Sequence, residues 1–151
     1  MAMISERDRE YIRQHFAEKL TDDVTLELYT RPKPRLHVPG REECLYCEET
    51  RQLVEEVADL SEHVNVVVHD VLEEPNSLAD AGISEIPALV FKGKNKGTVR
   101  YFGIPAGNEF RNLIDNIVDV ASGESGLSLE TEVALATLPK DVHLRVFVTP
   151  T

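Results

Sequence analysis

The chain has 151 residues, 42% of them hydrophobic and 28% charged, which suits one soluble globular domain with a real core. Its formal net charge of −11 argues against nucleic acid and against an anionic membrane surface, since both call for a basic face. No apolar run is long enough to span a bilayer, and Met1 to Asp8 shows no charged segment leading into an apolar stretch, so the expectation is a cytoplasmic protein without a signal peptide.

Ser5 is placed to cap a first helix running to about Leu20, with Ile12, Phe16 and Leu20 on one stripe. Val24 to Thr30 then alternates as a strand. Residues 31–43 hold Pro32, Pro34, Pro39 and Gly40 and read as a loop. A helix is expected from Cys44 to about Leu60, with Leu53, Val54, Val57 and Leu60 facing inward. Val64 to Val68 has the β-branched density of a buried strand. Leu72 to Ala81 reads as a short helix broken or started by Pro75. Ala88–Phe91 and Thr98–Phe102 are two strands joined by a tight, glycine-bearing turn from Lys92 to Gly97, the pattern of a hairpin. Glu109 to Ala121 is amphipathic, with Phe110, Leu113, Ile114, Ile117 and Val118 at helical spacing. The expected order is β–α–β–α–β–β–α after an extra N-terminal helix, an α/β arrangement with a mixed four-stranded sheet.

The composition divides the chain into a domain at 1–121 and a tail at 122–151. Ser122 to Gly126 has linker composition, followed by a short helix near Ser128–Leu138 and a strand at Val142–Val148. The tail repeats the chain's beginning: Leu20–Leu26 lines up with Leu138–Leu144, and at the same offset Pro32 meets Pro150. In the expected strand Val142, Leu144, Val146 and Val148 share one face.

The only cysteines are Cys44 and Cys47, in Cys44-Leu45-Tyr46-Cys47 at the seam between the loop and the second helix. A CxxC at a helix N-terminus suits thiol–disulfide exchange, because orphan N–H groups and the positive end of the helix dipole stabilise a thiolate there. Cys44 is then the exposed nucleophile and Cys47 the buried resolving thiol. Glu42, Glu43, Glu48 and Glu49 oppose the dipole. Zinc is the alternative chemistry. It needs two more ligands, and His37, His63 and His69 do not form a second compact pair, so no metal is expected.

Taken with Ile86-Pro87 and the segment Arg100-Tyr101-Phe102-Gly103-Ile104-Pro105-Ala106-Gly107-Asn108-Glu109-Phe110, the CxxC makes the chain resemble the N-terminal unit of the protein disulfide oxidoreductases of thermophilic archaea and bacteria. These are glutaredoxin-like proteins of two tandem thioredoxin-fold units, each with its own CxxC. The ending Val146 to Thr151 resembles the strand that leads into the second unit's CxxC. The resemblance implies a thioredoxin fold, the tail as the opening of a second unit, and a chain that is part of a longer protein. It also implies a protein disulfide oxidoreductase whose cysteines are the redox couple, with no other cofactor, protein thiols and disulfides as substrates, and a thioredoxin-reductase-type electron donor. A non-catalytic scaffold with an idle CxxC is the other function class.

The resemblance further implies site residues. Tyr46 resembles the tyrosine of glutaredoxin sites and would pack over the disulfide or contact substrate. Ile86 and Pro87 match the proline loop facing the disulfide, with the Ile86–Pro87 bond cis and its neighbouring backbone open to an extended substrate. Glu27 falls near the position of a buried acid behind the second cysteine, where it would accept a proton; its other reading is a solvated carboxylate. Two features depart from the family: the loop before Cys44 is longer, and Ala88 follows the proline where threonine is common. Finally, an exposed apolar strand in the tail offers itself to a free sheet edge: it can fold back on its own sheet, pair with a second copy or stay disordered, and a homodimer through the tail is the favoured expectation.

Overall fold

In the computed structural model, residues 2–32 and 43–148 are described. His37, Glu42 and Pro150 lie outside them. Helix α1 spans Glu6–Lys19, and Ser5 caps it by accepting the Asp8 backbone N–H at 3.2 Å. The expected stripe is its buried face: Ile12, Phe16 and the flanking Leu20 are almost wholly inaccessible.

Strand β1 (Val24–Thr30) pairs in parallel with β2 (Val64–Asp70), with helix α2 (Cys47–Ala58) as the crossover. β3 (Ala88–Lys92) lies antiparallel on the other side of β1, and β4 (Val99–Phe102) closes a hairpin with it. The sheet order is β2-β1-β3-β4, so the mixed four-stranded sheet expected from the sequence is present, with β1 at its centre. Short α3 (Ser77–Ala81) follows β2, and α4 (Phe110–Ser122) follows a turn of 3-10 helix at Gly107–Glu109.

Alternation along the strands separates two cores. Val24, Leu26 and Leu28 of β1 and Leu89 and Phe91 of β3 pack with α1, α2 and α4 in the larger one. Tyr29, Ala88 and Val90 point to the other face, where they meet Ile83 and the α3 segment. At about 1.5–3 kcal/mol for each fully buried Leu, Ile, Val or Phe, the larger core dominates the stability of the domain. Gly93 is needed where the hairpin meets α4: a Cβ there would sit 2.6 Å from the Val120 carbonyl oxygen, which accepts the Lys94 N–H at 2.9 Å.

Several expectations change. α2 begins at Cys47 rather than Cys44, because Leu45 and Tyr46 form a turn that carries the chain into the helix. α3 is confined to Ser77–Ala81; Pro75 lies in the turn before it, since proline cannot sit inside a helix that needs its N–H. β2, expected to be a buried strand, is an edge strand, and Val67 is 44% exposed. In the tail, α5 forms at Leu129–Ala136 with Ser128 accepting the Thr131 N–H at 3.3 Å. The expected strand at 142–148 does not form. Those residues are exposed and unpaired, and an extended segment without a ladder partner is not a strand. Among the described residues no helix is long and apolar enough to cross a membrane.

Candidate active site

Parallel β1 and β2 end at the same edge of the sheet, and the antiparallel β3 begins there. Register fixes this: Tyr29 faces Ala88, Thr30 faces Asp70, and Ala88 faces Phe102. The chain leaves β1 through Arg31 and Pro32 and returns at Glu43. Leu45 and Tyr46 turn it into α2. The Tyr46 side chain makes no capping bond to this helix.

Cys44 and Cys47 are joined as a disulfide with an S–S distance of 2.04 Å and Cα atoms 5.5 Å apart. Their environments differ. Cys44 is half-buried, whereas Cys47 is only 2% exposed, held under the first turn of α2. Leu45 and Tyr46 stand out from the turn at 73% and 49% exposure. Beside them a shallow cleft of about 230 Å³ is lined by Arg31, Pro32, Glu43, Cys44, Leu45 and Glu48. A larger hollow of about 730 Å³ lies away from the disulfide, between the hairpin turn, the end of α4 and the linker, and has no sulfur in it.

Ile86–Pro87 is a cis peptide bond, as the resemblance implied. Pro87 is buried one residue before Ala88, and its carbonyl oxygen accepts the Gly103 N–H at 2.8 Å. It is therefore level with Thr30, whose hydroxyl reaches the Cys47 carbonyl at 3.4 Å. The proline and the disulfide share one end of the sheet. Ile86 is half-buried next to it.

Glu27 is not brought to Cys47. It pairs with Val90 in the ladder and so faces the α3 side, whereas α2 packs on the opposite face through Leu53, Val54 and Val57. There Glu27 accepts the Tyr29 hydroxyl at 3.3 Å and lies 3.7 Å from the Lys92 ammonium. Burial, with the Glu27 carboxylate adding to it, raises the Tyr29 phenol above its usual pKa. His69 stacks on Tyr29 with ring centroids 4.6 Å apart and pairs with Glu74 at 2.8 Å, while His63 pairs with Asp23 at 2.9 Å. Among the described residues no group of three or more His, Cys, Asp or Glu side chains could hold a metal ion.

Two residues that the sequence did not single out belong to this site. Thr30 and Thr50 are the buried polar side chains among the described residues, at 4% and 0% exposure. Both donate to the disulfide loop: Thr30 to the Cys47 carbonyl, and Thr50 to the Tyr46 carbonyl at 2.6 Å. The available signal was a hydroxyl at the end of the strand that leads into the CxxC segment.

A family model described as a thioredoxin domain matches residues 35–115, more than half of the chain, and the chain belongs to that family. Comparison with curated proteins gave no match. Among solved structures, the chain is similar to a protein disulfide oxidoreductase from Aeropyrum pernix K1, with a TM-score of 0.71 and 26% identity over 89% of this chain. It is also similar in fold to the alkylhydroperoxide reductase AhpF of Enterococcus faecalis, with a TM-score of 0.71 and 23% identity over 91% of this chain. It spans only 55% and 62% of those two chains. Family membership, fold and a closed Cys44–Cys47 disulfide together support thiol–disulfide exchange.

Proposed function

We propose that this thioredoxin-family chain is a protein disulfide oxidoreductase whose Cys44–Cys47 couple exchanges with the thiols and disulfides of protein substrates. In the reducing direction, the Cys44 thiolate attacks a substrate disulfide. A Cys44–substrate S–S bond forms and one substrate thiolate leaves. The Cys47 thiolate then attacks the Cys44 sulfur, closing the Cys44–Cys47 bond and releasing the second substrate thiolate. Two electrons pass to the substrate, and its thiolates take protons from solvent. The cysteines are the redox couple, so no further cofactor enters the cycle. A reductase of the thioredoxin-reductase type would return the electrons, and the reducing cytoplasm is the setting that suits such a cycle.

One observation carries the assignment of roles: within a single closed disulfide, Cys44 is half-buried and Cys47 almost wholly inaccessible. An incoming substrate sulfur meets Cys44 first. Tyr46, Ile86 and Pro87 flank the approach, and an extended substrate segment would pair with the backbone beside Pro87. For the remainder of the chain we propose that 122–151 is the opening helix and strand of a second thioredoxin-fold unit. Support comes from the capped helix α5 and from the repeat of Leu20–Leu26 at Leu138–Leu144.

Insulin reduction with dithiothreitol as donor tests the activity. Wild-type chain should catalyse it, and Cys47→Ser should accumulate a mixed disulfide through Cys44. A wild-type chain that leaves insulin oxidised would return it to the class of non-catalytic scaffolds.

A further inference from the structure

Among the described residues the interior is almost free of polar side chains, and the two that are buried there are aimed at consecutive carbonyls of one loop. Thr50 is the simpler case. A threonine back-bonding to the carbonyl four residues earlier is common in helices, and its N–H bonds the same Tyr46 oxygen at 2.9 Å. Thr30 has no such local explanation. It ends the central strand, 17 residues before Cys47, and its hydroxyl crosses to the first carbonyl of α2. A bare methyl would satisfy the packing there, whereas a hydroxyl kept from water needs a partner, and the partner is the resolving cysteine's own peptide.

We propose that Thr30, assisted by Thr50, is the positioning residue of the exchange site: the Thr30 hydroxyl ties Cys47 to β1 and the Thr50 hydroxyl holds Tyr46 to the first turn of α2, so that Cys44 is the sulfur that moves. The inference rests on the exchange reading above and adds what sets the poise of the couple. Closing the Cys44–Cys47 bond requires the Cys47 thiolate to meet the Cys44 sulfur, whether Cys44 is joined to substrate or to a small thiol. Holding Cys47 in place removes part of the entropy lost in that step and raises its effective concentration. The same restraint favours the intramolecular disulfide over the dithiol. Glu27 offers nothing comparable, because it lies on the other face of the sheet.

The test is the equilibrium of the full chain with glutathione, read by alkylating the free thiols after poising in buffers of known ratio of reduced to oxidised glutathione. This needs no protein substrate, so it stands apart from the insulin assay: loss of insulin reduction with a normal equilibrium condemns the proposed function and not the positioning role. Thr30→Val keeps the shape and removes the hydroxyl. The disulfide-forming equilibrium constant should fall about fivefold, the equivalent of one ordinary hydrogen bond, and Thr30→Ser should stay within about twofold of wild type. Thr50→Val should move it in the same direction by a smaller factor, and supplies the comparison if Thr30→Val fails to fold. An unchanged equilibrium in Thr30→Val, or in Thr50→Val should that variant alone fold, overturns the proposal. So does a Thr30→Ser variant that falls as far as the valine one.

Discussion

The strand Val24–Thr30 and the segment Val142–Val148 carry nearly the same pattern and meet opposite fates. Val24, Leu26 and Leu28 are 0% exposed at the centre of the sheet, whereas their counterparts Val142, Leu144 and Val146 are 56%, 83% and 83% exposed. Each is preceded by a serine-capped helix. What separates them is company. β1 has β2 and β3 on its flanks, a helical layer on one face and the α3 segment on the other. An apolar, β-branched pattern specifies a willingness to be buried, and neighbours turn it into a strand.

The comparison can first be broken at the active site. If the chemistry belongs to the body alone, Cys44→Ser should bring insulin reduction to background both in the full chain and in a version ending at Ser122, while the truncated wild-type body keeps its activity. Truncated body without activity would mean that the tail takes part in exchange. Next come paired core deletions. Leu28→Ala should cost about 2–5 kcal/mol, because it empties a filled site among Leu53, Val54 and their neighbours. Leu144→Ala should change stability by less than about 0.5 kcal/mol, since its side chain touches mostly water. Chemical denaturation of both variants measures the contrast, and equal costs would show that the tail packs as tightly as the body.

Sequence periodicity reached the parts of this molecule that are settled within one element. The stripe Ile12, Phe16, Leu20, the hairpin around Gly93, the face of α4 and the CxxC all follow from local pattern. Relations between elements were less legible. Offset alone put Glu27 near the second cysteine, but the register with Val90 turns it to the other face. Helix α2 starts three residues late because Leu45 and Tyr46 form a turn, and no capping side chain announces it. Val64–Val68 read as buried because β-branching does not say whether a strand has one neighbour or two. Thr30 and Thr50 were missed since a threonine is unremarked in sequence until its burial is known.

A smaller effect sharpens the body's edge at its other terminus. The Glu56 carboxylate accepts the Met3 N–H at 2.9 Å and the Ile4 N–H at 3.2 Å, and meets Arg9 at 3.1 Å and Gln52 at 3.1 Å. Burial alone would raise its pKa, but these donors outweigh that and hold it below its usual value. A lowered folded pKa means that Glu56 stabilises the fold above the ordinary glutamate value of about 4.3, and that this contribution is lost as the pH falls through the folded value. Glu56→Gln should cost about 1 kcal/mol near neutrality, the low end for a charged hydrogen-bond cluster close to the surface. The mutant's stability should also decline less steeply than wild type below about pH 4. Parallel acid limbs in urea titrations of the two proteins would refute the clamp.

The slightest effect on stability, and the most direct probe of the comparison, is removal of the tail. Its exposed apolar side chains are concentrated between Leu127 and Val148, and nothing in the body's core depends on them. Unfolding of a version ending at Ser122 should therefore occur within about 2 °C of the full chain, a shift of under 1 kcal/mol. Association should change far more. Among the described residues β2 and β4 are the edge strands of the sheet, and an extended segment with unpaired N–H and C=O groups is a template for either one. Pairing within the same chain would bury the segment at no cost in concentration, yet Val142–Val148 is exposed and in no ladder of its own domain. A second copy is then the available partner, so light scattering should show the full chain dimerising as its concentration rises and the truncated body remaining monomeric. Two monomers of equal mass and equal stability would remove the dimer. They would leave Val142–Val148 as a strand waiting for a sheet that neither this domain nor its copy provides.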